Sequence, residues 1–332
     1  MRNKILTLLS VGTLLLSSCW KDEDAYHLPP SGGAIQQELS LGADYDKIVY
    51  FNVDKRTFMV RYLADWDLGF EASANGLHVI TNTGKGLLVH ETNLTDINAP
   101  YVVNIPGLEW RFDVPSGNKD STAVGQWWSG ADGISKNIVY VVDMTVNYKQ
   151  GERYKKVQIQ KADETGFWVK TCDLNGSNVT SYFIPKDTTR NFSYLDITTG
   201  KIQVDMEPAK DDWDLVFTRY SHIFYDQGPD PLPYLVTGVL LNGNGVQAYE
   251  ERIRSFDDID LEYATNIKFT NNANTIGYDW KYYNQTSGRY TVDNSRTYII
   301  KTISGYYYKL RFIDYYDSNG VKGTPVFDMQ RL

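Results

Sequence analysis

Trp213-Asp214-Leu215-Val216-Phe217-Thr218-Arg219-Tyr220 decides the reading of this chain, because an earlier stretch nearly repeats it: Trp66-Asp67-Leu68-Gly69-Phe70. Each copy follows an alternating segment, Ile48-Val49-Tyr50-Phe51-Asn52-Val53 before the first and Phe192-Ser193-Tyr194-Leu195-Asp196-Ile197 before the second. Later landmarks recur in the same order. Gly125-Gln126-Trp127-Trp128 answers Gly277-Tyr278-Asp279-Trp280, Ile138 to Val142 answers Thr297 to Ile300, and Tyr154 to Ile159 answers Tyr308 to Ile313. A run of matched landmarks in one order marks an internal duplication.

Most of these segments are short, alternate apolar with polar residues, and end at Gly, Asn, Asp or Pro, which is the pattern of half-buried antiparallel strands. Thr297 to Ile303, the turn Ser304-Gly305 and Tyr306 to Tyr315 read as a hairpin, and Asp317-Ser318-Asn319-Gly320 as the next turn. The best helical stretch is Ala248 to Phe256. The expected fold is all-β: two tandem antiparallel β-sheet domains with little helix, over residues 45–187 and 188–332. Trp66 and Trp213 read as core, with Asp67 and Asp214 satisfying backbone at turns.

Residues 1–18 read as a signal peptide: Arg2 and Lys4, then an apolar run, then Leu16-Ser17-Ser18-Cys19. A small residue before Cys19 marks Cys19 for lipidation, which anchors a chain without a spanning helix. Residues 19–44 form a tether, and Lys21-Asp22-Glu23-Asp24 resembles an export tag to the exterior face of the outer membrane. The formal net charge is −8, and losing Arg2 and Lys4 takes it to about −10. Such a surface has no basic field for phosphate backbones, so no nucleic-acid partner is expected. Only Cys172 remains after processing, so no internal disulfide forms. No GxSxG, HExxH or Asp-x-Asp-x-Asp-Gly motif is present, and the chain reads as a binding protein, not an enzyme.

The strand–turn–strand ahead of Trp213 to Phe217, the C-terminal hairpin Tyr307 to Asp317 and the closing Gly323-Thr324-Pro325-Val326-Phe327 together resemble the HmuY family of haem-binding surface lipoproteins. The second copy, about residues 192–332, resembles it more closely than the first, about 45–187. The resemblance implies two HmuY-like β domains, a haem ligand taken from host haem carriers, and transfer to a TonB-dependent outer-membrane receptor. It also implies iron held by two side chains, His or Met. Where the family ligand ahead of the C-terminal hairpin is expected, this chain has Tyr283 and Asn284, and Trp128 and Ser129 in the first copy.

Candidate ligands therefore come from elsewhere. His78 and His90 bracket the turn Thr81-Asn82-Thr83-Gly84-Lys85-Gly86, whose arms can bring two imidazoles to one side. His222 leaves a strand for the Pro-rich loop Asp226 to Pro233. Met206 offers a thioether and Tyr283 a phenol. His27 lies in the tether. The alternative reading is a glycan- or protein-binding β module without haem, in which the many Tyr and Trp supply contact faces.

Overall fold

In the computed structural model, the described residues are 32–104, 107–130, 133–145, 153–225, 228 and 232–332. The signal peptide, Cys19 and His27 lie outside them. The alternating segments become strands: β1 (Ile35–Glu38), β2 (Lys47–Asn52), β3 (Thr57–Tyr62), β4 (Leu68–Glu71), β5 (Val79–Thr81), β6 (Leu88–Glu91), β7 (Trp128–Ser129), β8 (Ile134–Ser135), β9 (Val139–Asp143), β10 (Tyr154–Ala162) and β11 (Gly166–Cys172). They continue as β12 (Thr180–Pro185), β13 (Phe192–Leu195), β14 (Ile202–Gln203), β15 (Leu215–Phe224), β16 (Leu232–Leu241), β17 (Gln247–Glu251), β18 (Lys281–Asn284), β19 (Arg289–Val292), β20 (Thr297–Lys301), β21 (Tyr307–Tyr316) and β22 (Lys322–Arg331). The fold is all-β, every strand pair described is antiparallel, and α1 (Leu261–Asn266) is a short helix. Among the described residues no helix is long and apolar enough to cross a membrane.

The duplication is visible in the ladders. One sheet contains the run β6-β9-β10-β11-β12, and another runs β17-β20-β21-β22-β1. A third runs β14-β13-β4-β5, and a fourth β3-β2-β15-β16. Each strand that follows a Trp-Asp pair therefore lies beside the alternating segment of the other copy: β4 beside β13, and β15 beside β2. The repeat boundary read from the sequence, 187/188, falls between β12 and β13, and the sheets cross it. One half is continuous, residues 63–212, around a core that includes Phe70, Trp127, Tyr140 and Phe167. The other is built from 32–62 and 213–332, around Phe51, Phe217, Trp280 and Phe327. Ile48, Tyr50, Leu63, Tyr194, Met206 and Trp213 are buried in the seam between them. Residues 32–332 form one compact unit.

The Trp-Asp pairs hold this exchange in place by matched contacts. Trp66 meets Tyr194 edge-on at 4.9 Å, and Trp213 meets Tyr50 edge-on at 5.0 Å. Asp67 Oδ2 accepts the Ile197 N–H at 2.7 Å, and Asp214 Oδ2 accepts the Val53 N–H at 2.8 Å. The Asn82 amide donates to the Leu63 and Trp66 carbonyls, and the Asn242 amide to those of Lys210 and Trp213. Lys156, opposite Val141 on β9, and Lys309, opposite Ile299 on β20, hold the same place in the two ladders, one position off the sequence match; both are buried and each donates to two loop carbonyls. Lys156 takes those of Ile97 and Ala99, and Lys309 those of Phe256 and Ile259.

The helix lies elsewhere than the sequence reading placed it. Ala248 falls in β17, which pairs with β20, and the Glu251 carboxylate then accepts the Ile253 and Arg254 amides to turn the chain. α1 begins later, where Asp260 Oδ1 accepts the Tyr263 N–H as an N-cap.

Candidate functional site

One hairpin differs in length between the two halves. β4 and β5 share three paired positions, from Leu68↔Thr81 to Phe70↔Val79. β15 and β16 run on through ten, from Leu215↔Leu241 to Phe224↔Leu232. The extension carries His222 opposite Tyr234 and Phe224 opposite Leu232. Alternation along the strand puts His222 and Phe224 on one face.

The loop ahead of β18 closes over this face. Gly277, with φ +65°, bridges Val239 on β16, and a Cβ on Gly238 would meet the Gly277 carbonyl oxygen at 2.3 Å. Only glycine lets the loop lie that close. It delivers Tyr278, whose ring centroid is 4.8 Å from the His222 ring and 5.7 Å from Phe224, with its Oη 3.4 Å from His222 Nε2. Phe224 meets Tyr234 at 5.9 Å.

Phe224, Tyr234 and Tyr278 open onto a groove of about 1040 Å³, lined also by Tyr282, Tyr283 and Tyr290 of the β18–β19 hairpin, and by Tyr45 and Tyr316. Tyr283 stands edge-on to Tyr290 at 5.3 Å and is 54% exposed. Burial holds the Tyr45 phenol up at about 12 and raises that of Tyr290. Lys281 also lines the groove. Its Nζ donates to the Thr237 carbonyl at 2.6 Å and faces the Trp280 ring at 4.3 Å and the Tyr315 ring at 4.6 Å. Burial pulls its pKa down to about 7. The groove combines large apolar faces with few fixed polar groups, the makeup of an organic-ligand site.

Fourteen of the eighteen lining residues lie between Tyr234 and Lys322. Residues 233–329 match the model of the HmuY protein family. The resemblance read from the sequence thus holds over the HmuY segment that builds the groove. Solved structures similar to this chain include apo PinO from Porphyromonas gingivitis (11% identity, 91% of this chain and 98% of that one, TM-score 0.29). They also include the apo HmuY analog from Tannerella forsythia (9%, 91% and 98%, 0.26) and a protein described as HmuY-like and heme binding from Bacteroides vulgatus (11%, 89% and 90%, 0.22). No curated protein matches the chain.

The other predicted ligands sit apart. His78 Nδ1 is 2.7 Å from Glu71 Oε2, and its ring lies edge-on to Trp128. Burial pushes Glu71 up, but hydrogen bonds from His78 and Lys119 outweigh it and hold the carboxyl below the usual range. His90 Nδ1 is 3.1 Å from the Glu109 carbonyl, beside Tyr101 and Trp110. The turn between the two histidines is a 3-10 turn at Thr83–Lys85, and its arms join different sheets: β5 pairs with β4, β6 with β9. It is not a hairpin, so its arms do not converge. Met206 is fully buried in the seam with Tyr194 and Trp213, where its sulfur has no open face for a porphyrin. Of the predicted residues Tyr283 lines the groove, and His222 lies behind the lining, against Tyr278. Phe224, Tyr234, Tyr278 and Lys281 were not singled out from the sequence as ligand-binding residues. Tyr278 stood in the open as the answer to Gln126 in the duplicated Gly-x-x-Trp. Among the described residues, no three of His, Cys, Asp or Glu cluster to hold a bare metal ion.

Proposed function

We propose that this chain is a haem-binding protein whose ligand lies in the groove between the β15–β16 hairpin and the β18–β19 hairpin. The observation that carries the reading is the coincidence of the HmuY-matched segment with an aromatic groove lined by Tyr278, behind which His222 lies. Imidazole and phenol are both donor types that haem iron accepts, and flat aromatic walls suit a flat macrocycle. In this reading Tyr278 meets the macrocycle with the His222 imidazole backing its hydroxyl, and Tyr283 covers the mouth. The chain acts by binding, without catalysis. We further propose that it is lipidated at Cys19, stands on the exterior face of the outer membrane, accepts haem from host carriers and passes it to a TonB-dependent receptor.

The test is a haemin titration of the chain from Trp20, read by visible absorbance. A saturable, red-shifted Soret band is expected, weakened at least tenfold by His222→Ala and unchanged by His78→Ala or His90→Ala. A spectrum identical to free haemin sinks the reading. Loss of radiolabelled acyl incorporation in Cys19→Ser tests the anchor. A second reading draws on a polar cavity of about 560 Å³ in the other half, lined by Thr171, Asp173, Asn178 and Thr198 together with Tyr182. Hydroxyls and an amide beside an aromatic residue suit a neutral sugar, and calorimetry with an oligosaccharide panel tests it.

A further inference from the structure

The chain carries a net charge of −8, yet its groove is walled by basic side chains. Arg219, Lys281 and Lys322 all line it, and among the described residues none of the three takes part in an ion pair. The acidic lining residue, Asp279, is already engaged: Arg296 Nη1 lies 2.6 Å from its Oδ2. Arg219 is half-buried and donates Nε to the Gly84 carbonyl at 2.7 Å, a contact that fixes the guanidinium plane on the backbone of the other half. Lys281 is 6% exposed and, among the described residues, has no carboxylate within ion-pair distance. Lys322 reaches over the Tyr45 ring at 5.1 Å, at the rim. Burying cations without counter-charges is unfavourable unless something supplies the charge, and guanidinium and ammonium groups bind carboxylate through short charge-assisted bonds.

We propose that the groove selects flat aromatic ligands that bear carboxylates, with Arg219, Lys281 and Lys322 as the carboxylate-binding residues. The proposal rests on the reading of this groove as the ligand site, and it adds the feature of the ligand that is recognised. The iron is held by other groups, so a metal-free macrocycle binds through the same three cations. Selection acts at the acid groups: a ligand of the same shape with its acids capped loses the pairing and keeps only the ring contacts.

The experiment compares four probes on the chain from Trp20: haemin, haemin dimethyl ester, protoporphyrin IX and its dimethyl ester, the last two read by fluorescence. Each acid is expected to bind at least tenfold more tightly than its ester, and the preference should shrink as salt is raised, because charge pairs at a half-open site are screened. Lys322→Glu, a change at an exposed position, should weaken both acids about tenfold and leave the esters unchanged. Equal binding of acid and ester overturns the proposal while leaving the haem reading standing. Binding of protoporphyrin IX but not haemin, with esters excluded, upholds the proposal and refutes iron coordination. Failure of both acids to bind overturns both.

Discussion

Replacing Asp214 with alanine should cost about 3 kcal/mol of folding stability. Its carboxyl is fully buried, and both oxygens accept from backbone: Oδ2 from Val53 N–H at 2.8 Å, Oδ1 from Ile303 N–H at 3.0 Å. A buried donor left without an acceptor costs about 1–3 kcal/mol. Val53 is 1% exposed, so its amide has no water to turn to and takes the full penalty. Ile303 is only half-buried, so its amide recovers part of the loss by hydration. One full and one partial penalty give about 3 kcal/mol, or a fall of roughly 4–5 °C in Tm for a chain of this size. Asparagine is no remedy. Both oxygens face N–H donors, so an NH2 at either place meets a donor, and Asp214→Asn should be nearly as costly. The assay is urea unfolding monitored by tryptophan fluorescence, with Asp212→Ala as control. Asp212 is exposed and pairs only with exposed Lys55, so its loss should stay within about 0.5 kcal/mol. A loss below about 1 kcal/mol for Asp214→Ala would refute the claim that this carboxylate carries the two amides.

Lys309→Met keeps the volume of the side chain but strands the Phe256 and Ile259 carbonyls, and should cost about 2–4 kcal/mol in the same assay. Lys156→Met, its counterpart, should cost a similar amount through Ile97 and Ala99. Lys281 gives a pH signature. Its folded pKa is about 7 against 10.5 unfolded, so between these values the unfolded chain binds the extra proton and stability rises with pH. Below pH 7 that gain is absent, and Lys281→Met should flatten the rise by up to about 1.4 kcal/mol per pH unit between pH 7 and 9, measured by urea midpoints. Finally, a fragment of residues 63–212 should fold cooperatively by circular dichroism, whereas 45–187 should not. The latter carries β2 and β3 without β15, and β4 without β13.

The duplication, the strand character of its landmarks and the C-terminal hairpin were legible because each depends on local alternation and turn residues. The partner of each strand was not. β2 and β13 carry the same kind of pattern, so nothing in either says whether β4 or β15 lies beside it. Ala248 to Glu251 misled because the residues that end β17 do so through the Glu251 side chain, which turns the backbone without Gly or Pro. His222 read as leaving a strand for a loop; it lies within β15 opposite Tyr234, and Tyr278, which no local pattern ties to it, reaches it from 56 positions away. Met206 has the sequence surroundings of an exposed turn, and only the seam, assembled from both copies, covers it.

The pairing of β1 with β22 sets the order in which the molecule can be completed. β1 to β3 are made first, yet β15 and β22, which they lie beside, come from the far end of the chain. The half at 63–212 has all its own partners and can close as soon as it emerges. The early strands must wait with unpaired edges through the making of more than a hundred residues. Long-range pairings of this kind are slow to form and leave strands open to wrong partners in the meantime. A chain built this way depends on being kept from its neighbours until its last strand arrives.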